Sequence, residues 1–227
     1  MQPEPVIQFL HASIYQGKSL ILSDVNFEIA HGEFVYLIGK TGTGKSSLLK
    51  TIYGELPLQT GSAFVAGFDL EKTGWKKIPY LRRKLGIVFQ DFQLLNDRTV
   101  EANLEFVLRA TGTKDKALIK IKIEEALRRV GIPTKGFKMP HELSGGEQQR
   151  LVIARAIIND PEIIVADEPT GNLDPDTSDD IMNLLRHLNS EYKTAVLMAT
   201  HNYNILEKFP SKILRCINGN VQVEMPD

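Results

Sequence analysis

The stretch Gly39-Lys-Thr-Gly-Thr-Gly-Lys-Ser46 decides the fold, because it fits the phosphate-binding pattern G-x-x-x-x-G-K-[ST]. A short, continuously apolar run, Phe34–Ile38, precedes it, and residues 46–53 have helical character. A strand before the glycines and a helix after them are the context in which this pattern binds nucleoside triphosphates. A glycine-rich turn before an ordinary helix is the alternative interpretation, and that context argues against it.

The residue types of this loop suit a phosphate group. Gly39, Gly42 and Gly44 let backbone N–H groups turn towards a triphosphate where a Cβ atom would clash. The helix that follows adds the positive end of its dipole. We expect Lys45 to reach the β- and γ-phosphates and the Ser46 hydroxyl to bind Mg²⁺.

Two further stretches accompany the glycine loop. Leu143-Ser-Gly-Gly-Glu-Gln-Gln-Arg150 contains the pattern S-x-x-E, a capping box with Ser144 as N-cap and Glu147 at the third helical position. A helix that starts there offers N–H groups and a positive dipole end to an anion. A well-capped helix without a ligand is the other interpretation, but the bare glycines at 145 and 146 favour an anion.

The third stretch, Ile163-Ile-Val-Ala-Asp-Glu-Pro169, is an apolar run that ends in two adjacent carboxylates. Open α/β sheets bind ligands at the carboxyl ends of their strands, so Asp167 and Glu168 are candidate site residues. Successive side chains of a strand point to opposite faces, and we therefore expect these two carboxylates to do different jobs.

Composition sets limits on the function. The chain has 227 residues, of which 42% are hydrophobic and 24% charged, with a formal charge of −1, so no basic field recruits nucleic acid. One cysteine excludes an internal disulfide. No apolar run approaches the ~18 residues that cross a bilayer, and residues 1–5 lack the regions of a signal peptide. If the protein works at a membrane, we expect a partner to hold it there.

The pattern along the chain predicts one α/β domain over residues 1–227. Its core covers roughly 1–89 and 156–227 and includes an antiparallel N-terminal β layer, and a helical lobe is inserted at roughly 90–155. The predicted strands are 6–15, 25–29, 34–38, 61–67, 86–89, 163–166, 195–199, 213–217 and 221–223, and the predicted helices are 46–53, 75–84, 100–110, 114–130 and 175–192.

The glycine loop, the LSGGE stretch and the two carboxylates follow one another in this order along the chain. In this the chain resembles the ATP-binding cassette (ABC) family, and the resemblance covers essentially its whole length. The resemblance implies a P-loop NTPase core, hydrolysis of ATP to ADP and phosphate, and Mg²⁺. It places ATP on Tyr15, Gly39, Lys40, Thr41, Gly42, Thr43, Gly44, Lys45, Ser46 and Ser47. Tyr15 would stack on adenine, although a strand-end aromatic packed in the β layer is the other interpretation. The Lys40 side chain can touch phosphate or point to water, and we favour water.

The resemblance also assigns catalytic roles. Glu168 would polarise the attacking water, and Asp167 would hold Mg²⁺ through a water molecule. His201, in Met198-Ala-Thr-His201, matches the family's switch histidine and would approach the γ-phosphate, whereas a lone histidine is usually structural or solvated. Gln90 matches the glutamine that ligates Mg²⁺ and links the core to the helical lobe. The catalytic set is therefore Glu168, His201, Lys45 and Gln90, and the metal set is Ser46, Gln90 and Asp167.

The same resemblance implies a homodimer with ATP between the subunits. The signature residues that would bind the ATP of the other subunit are Ser144, Gly145, Gly146, Glu147 and Gln148. Gly171-Asn-Leu-Asp174 matches the family's D-loop, in which Asp174 lies at the dimer seam. Asp174 and Pro175 also form a good N-cap and first-turn pair for the following helix.

A finer resemblance lies in Phe89-Gln-Asp-Phe-Gln-Leu-Leu-Asn-Asp-Arg-Thr-Val100, Ala166-Asp-Glu-Pro-Thr-Gly-Asn-Leu-Asp174 and Val196-Leu-Met-Ala-Thr-His-Asn202. These segments are similar to the cell-division ATPases of the family. They imply an FtsX-like integral membrane partner, which signals to cell-wall hydrolases, and a peripheral place on the cytoplasmic face of the bacterial inner membrane. Lys40-Thr41 and Ser47 depart from the commoner Pro-Ser and Thr.

Three alternatives stay open on the sequence alone. The first is the ATPase of a lipoprotein-release or macrolide-type exporter, and the second is a nucleotide-gated scaffold with little turnover. The third, a soluble cassette acting on DNA or ribosomes, usually carries a coiled-coil insertion or paired cassettes, and this chain has neither. Two basic clusters could also face anionic lipid, although solvated helix faces are commoner: Lys76, Lys77, Arg82, Arg83 and Lys84, and Lys120, Lys122, Arg128 and Arg129.

Overall fold

Two β-sheets and the helices packed on them make up the computed structural model, which describes residues 4–226. Residues 1–3, part of the segment without signal-peptide features, lie outside the described residues. The strands are β1 Ile7–Gln16, β2 Ser19–Ile29, β3 Phe34–Ile38, β4 Thr60–Val65, β5 Phe68–Asp69, β6 Leu85–Val88, β7 Ile163–Asp167, β8 Ala195–Ala199, β9 Lys212–Ile217 and β10 Asn220–Glu224. The helices are α1 Lys45–Ile52, α2 Ile78–Arg83, α3 Val100–Ala110, α4 Lys116–Arg129, α5 Gly145–Ile157, α6 Pro175–Tyr192 and α7 Tyr203–Lys208, with a 3₁₀ turn at Pro140–Glu142.

The larger sheet has six strands in the order β10-β9-β3-β8-β7-β6. All neighbouring pairs are parallel except β9 and β10, which form the predicted C-terminal hairpin. Its central strands are apolar throughout because both faces are covered. Along β3, Val35 and Leu37 pack on one side, while Phe34, Tyr36 and Ile38 pack on the other.

The smaller sheet has four strands in the order β2-β1-β4-β5, and its pairs are antiparallel. It shares a core with α1 and with one face of the larger sheet. The N-terminal antiparallel layer that the sequence predicted is therefore present. Strand β2 is longer than predicted, since it begins at Ser19 rather than at Val25.

The chain between β6 and β7 is helical, as predicted. Helices α3 and α4 pack on α5, which also lies against β6 and α6. Their apolar side chains join the core on the second face of the larger sheet. The boundaries of a separate lobe near residues 90 and 155 stay a prediction.

One local prediction was wrong, and one helix was not predicted. The basic helix expected at 75–84 is only α2, because Trp75 and its neighbours form a turn in which the Lys77 amide donates to the Gly74 carbonyl. Pro79 lies in the first turn of α2, where the missing N–H costs nothing. Helix α7 was not predicted. Within residues 4–226, no helix combines the length and the apolar character that a bilayer crossing requires.

Candidate nucleotide site

The glycine loop connects the carboxyl end of β3 to the first residue of α1. Gly39 has φ 150° and Gly44 has φ 104°, in the region that favours glycine. A Cβ atom on Gly39 would lie 2.5 Å from the Cys216 carbonyl oxygen of β9, and one on Gly44 would lie 2.9 Å from Leu22. The loop therefore needs glycine at both ends, for backbone conformation and for space.

Lys45 points into the curve of this loop. Its Nζ atom donates to the carbonyl oxygens of Gly39 at 2.6 Å and Lys40 at 3.3 Å. The Thr43 hydroxyl also donates to the Lys40 carbonyl, at 2.8 Å. The ammonium group thus lies at the loop whose backbone the sequence assigns to phosphate, while the Lys40 side chain is exposed.

A cavity of about 450 Å³ lies at the carboxyl edge of the larger sheet. This edge is where parallel sheets bind ligands, because β3, β6, β7 and β8 all end there. The cavity brings together most of the predicted site residues: it is lined by Gln16, Ile21, Thr41, Gly42, Gly44, Lys45, Ser46, Ser47, Gln90, Asp167, Glu168 and His201.

Four residues assigned to ATP do not line this cavity. Gly39, Lys40 and Thr43 belong to the loop itself but are not among the lining residues. Tyr15 is half-buried in β1 opposite Leu20, and its neighbour Gln16 lines the cavity instead. Stacking of Tyr15 on adenine therefore stays a prediction.

Asp167 is the last residue of β7 and contacts the loop. Burial raises the pKa of its carboxyl group, and the negative charge of Glu168 raises it further. The positive charge of Lys45 and a hydrogen bond from the Ser46 hydroxyl lower the pKa and oppose part of that shift. The carboxylate is thus a partly desolvated anion that a cation would stabilise.

Glu168 lies just beyond β7 in a left-handed backbone conformation, with φ 47°. The sequence placed it in the strand, on the face opposite Asp167, and that explanation was wrong. Its amide donates to the Ala199 carbonyl at 3.0 Å, which fixes the residue between the ends of β7 and β8. A non-glycine residue costs roughly 1–2 kcal/mol in this conformation, and such strain clusters at functional sites.

The two predicted catalytic side chains meet at this point. The His201 Nδ1 atom lies 2.7 Å from Glu168 Oε1. The side chain of Glu168 is only 12% exposed, whereas that of His201 is 71% exposed. The exposed imidazole of His201 is therefore held by the largely buried carboxylate of Glu168, and both residues line the cavity.

The LSGGE stretch starts α5 with the predicted capping box. Ser144 Oγ accepts from the Glu147 amide at 3.3 Å, and the Ser144 amide donates to Glu147 Oε2 at 2.9 Å. Lys135 lies 2.9 Å from the same carboxylate, and this ammonium and the Ser144 amide lower the pKa of Glu147. In the described chain, none of Ser144, Gly145, Gly146, Glu147 and Gln148 lines the cavity above.

The start of α5 lies beside the start of α6. A Cβ atom on Gly146 would lie 2.6 Å from Thr177 Cγ2, and Asp174 Oδ1 accepts from the Thr177 amide at 3.0 Å. Asp174 is therefore the N-cap of α6, and Pro175 follows it in the first turn, as predicted. The first turns of the two helices are therefore neighbours.

Gln90 contacts the D-loop, a relationship that the sequence did not reveal. Its backbone carbonyl accepts from Asn172 Nδ2 at 3.1 Å, and a Cβ atom on Gly171 would lie 3.2 Å from Gln90 Nε2. Residues 82 apart in sequence meet here, and no local pattern signals such a contact. The D-loop also borders a second cavity, of about 660 Å³, which shares Glu168 and His201 with the first and is lined further by α7.

The family model described as "ABC transporter" matches residues 22–171, about two thirds of the chain. The chain belongs to the ABC transporter family. It is 44% identical over 91% of its length to the cell division ATP-binding protein FtsE of Streptococcus pneumoniae, covering 89% of that protein. It is 40% identical over 95% of its length to FtsE of Escherichia coli, covering 97% of that protein.

A solved structure agrees with this membership. The protein has a TM-score of 0.83 and 32% sequence identity to the ATP-binding cassette MJ0796, whose structure is described as a dimer in a post-hydrolysis state bound to ADP and Pi. The match covers 96% of this chain and 98% of that one. The predicted fold class, the nucleotide-binding function and the ATPase activity are confirmed, whereas the roles of individual site residues stay predictions.

Proposed function

We propose that this ABC protein is the ATP-hydrolysing subunit of a membrane-bound cell-division complex, in which two copies close over ATP. The observation that carries the proposal is the 450 Å³ cavity, where the phosphate loop, Gln90, Asp167, Glu168 and His201 share one wall. Phosphoryl transfer depends on positioning and on stabilising charge, and this wall supplies both. The relatives named FtsE support the cell-division role.

The residues around Asp167 fit Mg²⁺. Mg²⁺ prefers oxygen ligands and usually takes one or two carboxylates, with phosphate and water oxygens completing its shell. Ser46, Gln90 and Asp167 all line the same cavity, and Ser46 is close enough to Asp167 to lower the pKa of its carboxyl group. Among residues 4–226, no three His, Cys, Asp or Glu side chains cluster as a metal site. Bound Mg²⁺ would neutralise phosphate charge.

Each catalytic side chain then has one task. Lys45 exchanges its bonds to the Gly39 and Lys40 carbonyls for phosphate oxygens. Glu168 accepts a hydrogen bond from the attacking water and orients it, because its carboxylate is fixed just past the strand end. His201, exposed and hydrogen-bonded to Glu168, donates to the γ-phosphate.

The dimer follows from where the signature residues lie. Ser144 and the glycines after it are away from the P-loop cavity of their own chain. They begin an α-helix whose first N–H groups are available for an anion. We therefore place the ATP of one protomer against the signature residues of its partner, with Asp174 at the seam. The dimeric cassette MJ0796 supports this arrangement.

We place the dimer on the cytoplasmic face of the bacterial inner membrane, held by an FtsX-like integral membrane partner. The region of residues 90–155 forms the helical lobe of a single ABC domain and contacts that partner, since Gln90 joins it to the cavity. ATP-driven closure then moves the partner, which regulates cell-wall hydrolysis. The FtsE relatives favour this role over lipoprotein or macrolide export.

Two measurements test the proposal. Light scattering on the purified chain with ATP and Mg²⁺ should show a dimer, and without nucleotide a monomer. Mass spectrometry of a gentle membrane pull-down should identify a small FtsX-like protein as the main partner. A larger substrate-binding permease in its place would assign the chain to export, and a monomer under all nucleotide conditions would refute the shared site.

A further inference from the structure

Residues 74–83, which we call the Trp75 surface, expose two large aromatic side chains. Trp75 is 80% exposed and Tyr80 is 57% exposed. Trp75 is the only tryptophan of the chain. Both side chains have an apolar ring with a polar tip, a combination that suits a boundary between an apolar and an aqueous environment.

The Trp75 surface has a fixed base. Leu81 is fully buried, and Ile78 packs against Gly54, where a Cβ atom would lie 2.5 Å from Ile78 Cδ1. Arg82 Nε donates to the Tyr53 carbonyl at 2.9 Å. These contacts anchor α2 to the end of α1, so the exposed side chains project from a structured element.

Cations accompany both aromatic rings. Lys76 Nζ lies 5.7 Å from the centre of the Trp75 ring, and the Arg83 guanidinium lies 5.0 Å from that of Tyr80. Lys77 is exposed beside them. Within residues 4–226, the ion pairs found do not include any of these three cations. The remaining cations nearby are engaged, since Arg82 contacts Tyr53 and Lys84 pairs with Glu162.

The second basic cluster of the sequence differs. Lys122 and Arg129 pair with Asp160 at 3.1 and 2.9 Å, and Lys120 lies 3.9 Å from Glu124. Three of its four cations are therefore paired within the fold, and Arg128 alone has no ion pair among the described residues. Of the two basic clusters, the one at the Trp75 surface is where, among residues 4–226, cations without an ion pair accompany exposed aromatic rings.

We propose that the Trp75 surface contacts the headgroups of anionic lipids directly. This contact adds to the attachment through the membrane partner. Tryptophan and tyrosine favour the bilayer interface, and lysine and arginine near it attract anionic headgroups. Lysine is depleted from the cores of protein–protein interfaces, so two lysines beside Trp75 favour lipid over an acidic protein segment. This contact goes beyond the proposed function, which needs only the partner.

The single tryptophan makes the test direct. The purified full-length chain is mixed with vesicles of phosphatidylcholine, with or without phosphatidylglycerol. Binding to the anionic vesicles should shift Trp75 emission to shorter wavelength and protect it from acrylamide, and added salt should reverse both effects. Co-sedimentation then gives the partition coefficient.

Matched variants distinguish the effect of this surface from the effect of the overall charge of the protein. Lys76→Gln/Lys77→Gln should lower partitioning at least tenfold, because each basic residue near the surface contributes about 1 kcal/mol. Lys116→Gln/Lys120→Gln removes the same charge from exposed positions of α4 and should have little effect. Equal losses in both variants, or an unchanged emission spectrum on anionic vesicles, would overturn the proposal.

Two further measurements distinguish a failure of the lipid proposal from a failure of the proposed function. ATP hydrolysis and ATP-dependent dimerisation should be unchanged in Lys76→Gln/Lys77→Gln, since neither lysine lines the nucleotide cavity. If this variant lost capture by the membrane partner in detergent while the wild-type chain ignored vesicles, the surface would be a protein contact and the lipid proposal wrong.

Discussion

The imidazole of His201 contacts the carboxylate of Glu168, with 2.7 Å between Nδ1 and Oε1. One of the two side chains is largely buried and the other largely exposed. The carboxylate is therefore held in place, while the ring faces the cavity from outside. In the proposed function, Glu168 positions the attacking water and His201 contacts the γ-phosphate.

Glu168→Gln should keep ATP binding and lower turnover by about 10³-fold, because the amide cannot accept a proton from the water as a carboxylate does. We expect ATP-bound dimers to accumulate, which light scattering with Mg²⁺ and ATP would detect. Glu207→Gln, an exposed acid at the second cavity, is the control. Full residual ATPase activity would refute the role of Glu168.

His201→Ala should lower kcat about 100-fold with little change in the KM for ATP, because the ring acts on the γ-phosphate in the transition state. His187→Ala, which removes an exposed imidazole on α6, should behave as the wild-type protein. Steady-state kinetics distinguish the two variants. A rise in KM alone would show that His201 only binds substrate.

Ser144→Arg should leave ATP binding by the monomer intact and prevent dimerisation, because a bulky side chain at the start of α5 blocks the partner's phosphate. Ser190→Arg adds the same side chain at an exposed position near the end of α6 and serves as the control. Nucleotide titration and light scattering read the two properties separately. Dimers at wild-type levels would count against the shared site.

Gly146→Ala should lower the free energy of unfolding by about 1–2 kcal/mol, because the new methyl group meets Thr177 Cγ2. Thr177→Ser removes that methyl group and keeps the hydroxyl, so the double variant should recover most of the loss. Urea unfolding of the single and double variants measures the coupling. A double variant no more stable than Gly146→Ala would disprove this contact.

Asp167→Asn should raise the Tm of the nucleotide-free chain by roughly 2 °C and abolish turnover. Burial and Glu168 raise the pKa of Asp167, so its ionised form destabilises the fold at pH values above that pKa. This cost disappears as the pH falls and the carboxyl group is protonated. The Tm advantage of the variant should therefore shrink towards acid pH, and scanning calorimetry between neutral and acid pH would show it.

Local patterns predicted much of the fold. Strands β3 and β8 and helices α3 and α6 have the predicted bounds, because each is a continuous apolar run or a capped amphipathic segment. The same holds for the capping box at Ser144, which depends on residues three positions apart.

The remaining features depend on contacts between distant residues. The left-handed conformation of Glu168 is held by the Ala199 carbonyl of a neighbouring strand, so a strand pattern could not reveal it. The contact between Gln90 and Asn172 likewise joins separate segments. Helix α7 did have a local signal, since the Asn202 side chain caps it.

Strand β9 has a consequence for synthesis on the ribosome. The Cys216 carbonyl lies close to Gly39, so a strand that is made much later than the glycine loop supports that loop. A nascent chain that still lacks residues 212–217 has no such support, whatever else has folded. We therefore expect stable nucleotide binding only after residues 212–217 have been made, because the loop then gains its contact with β9.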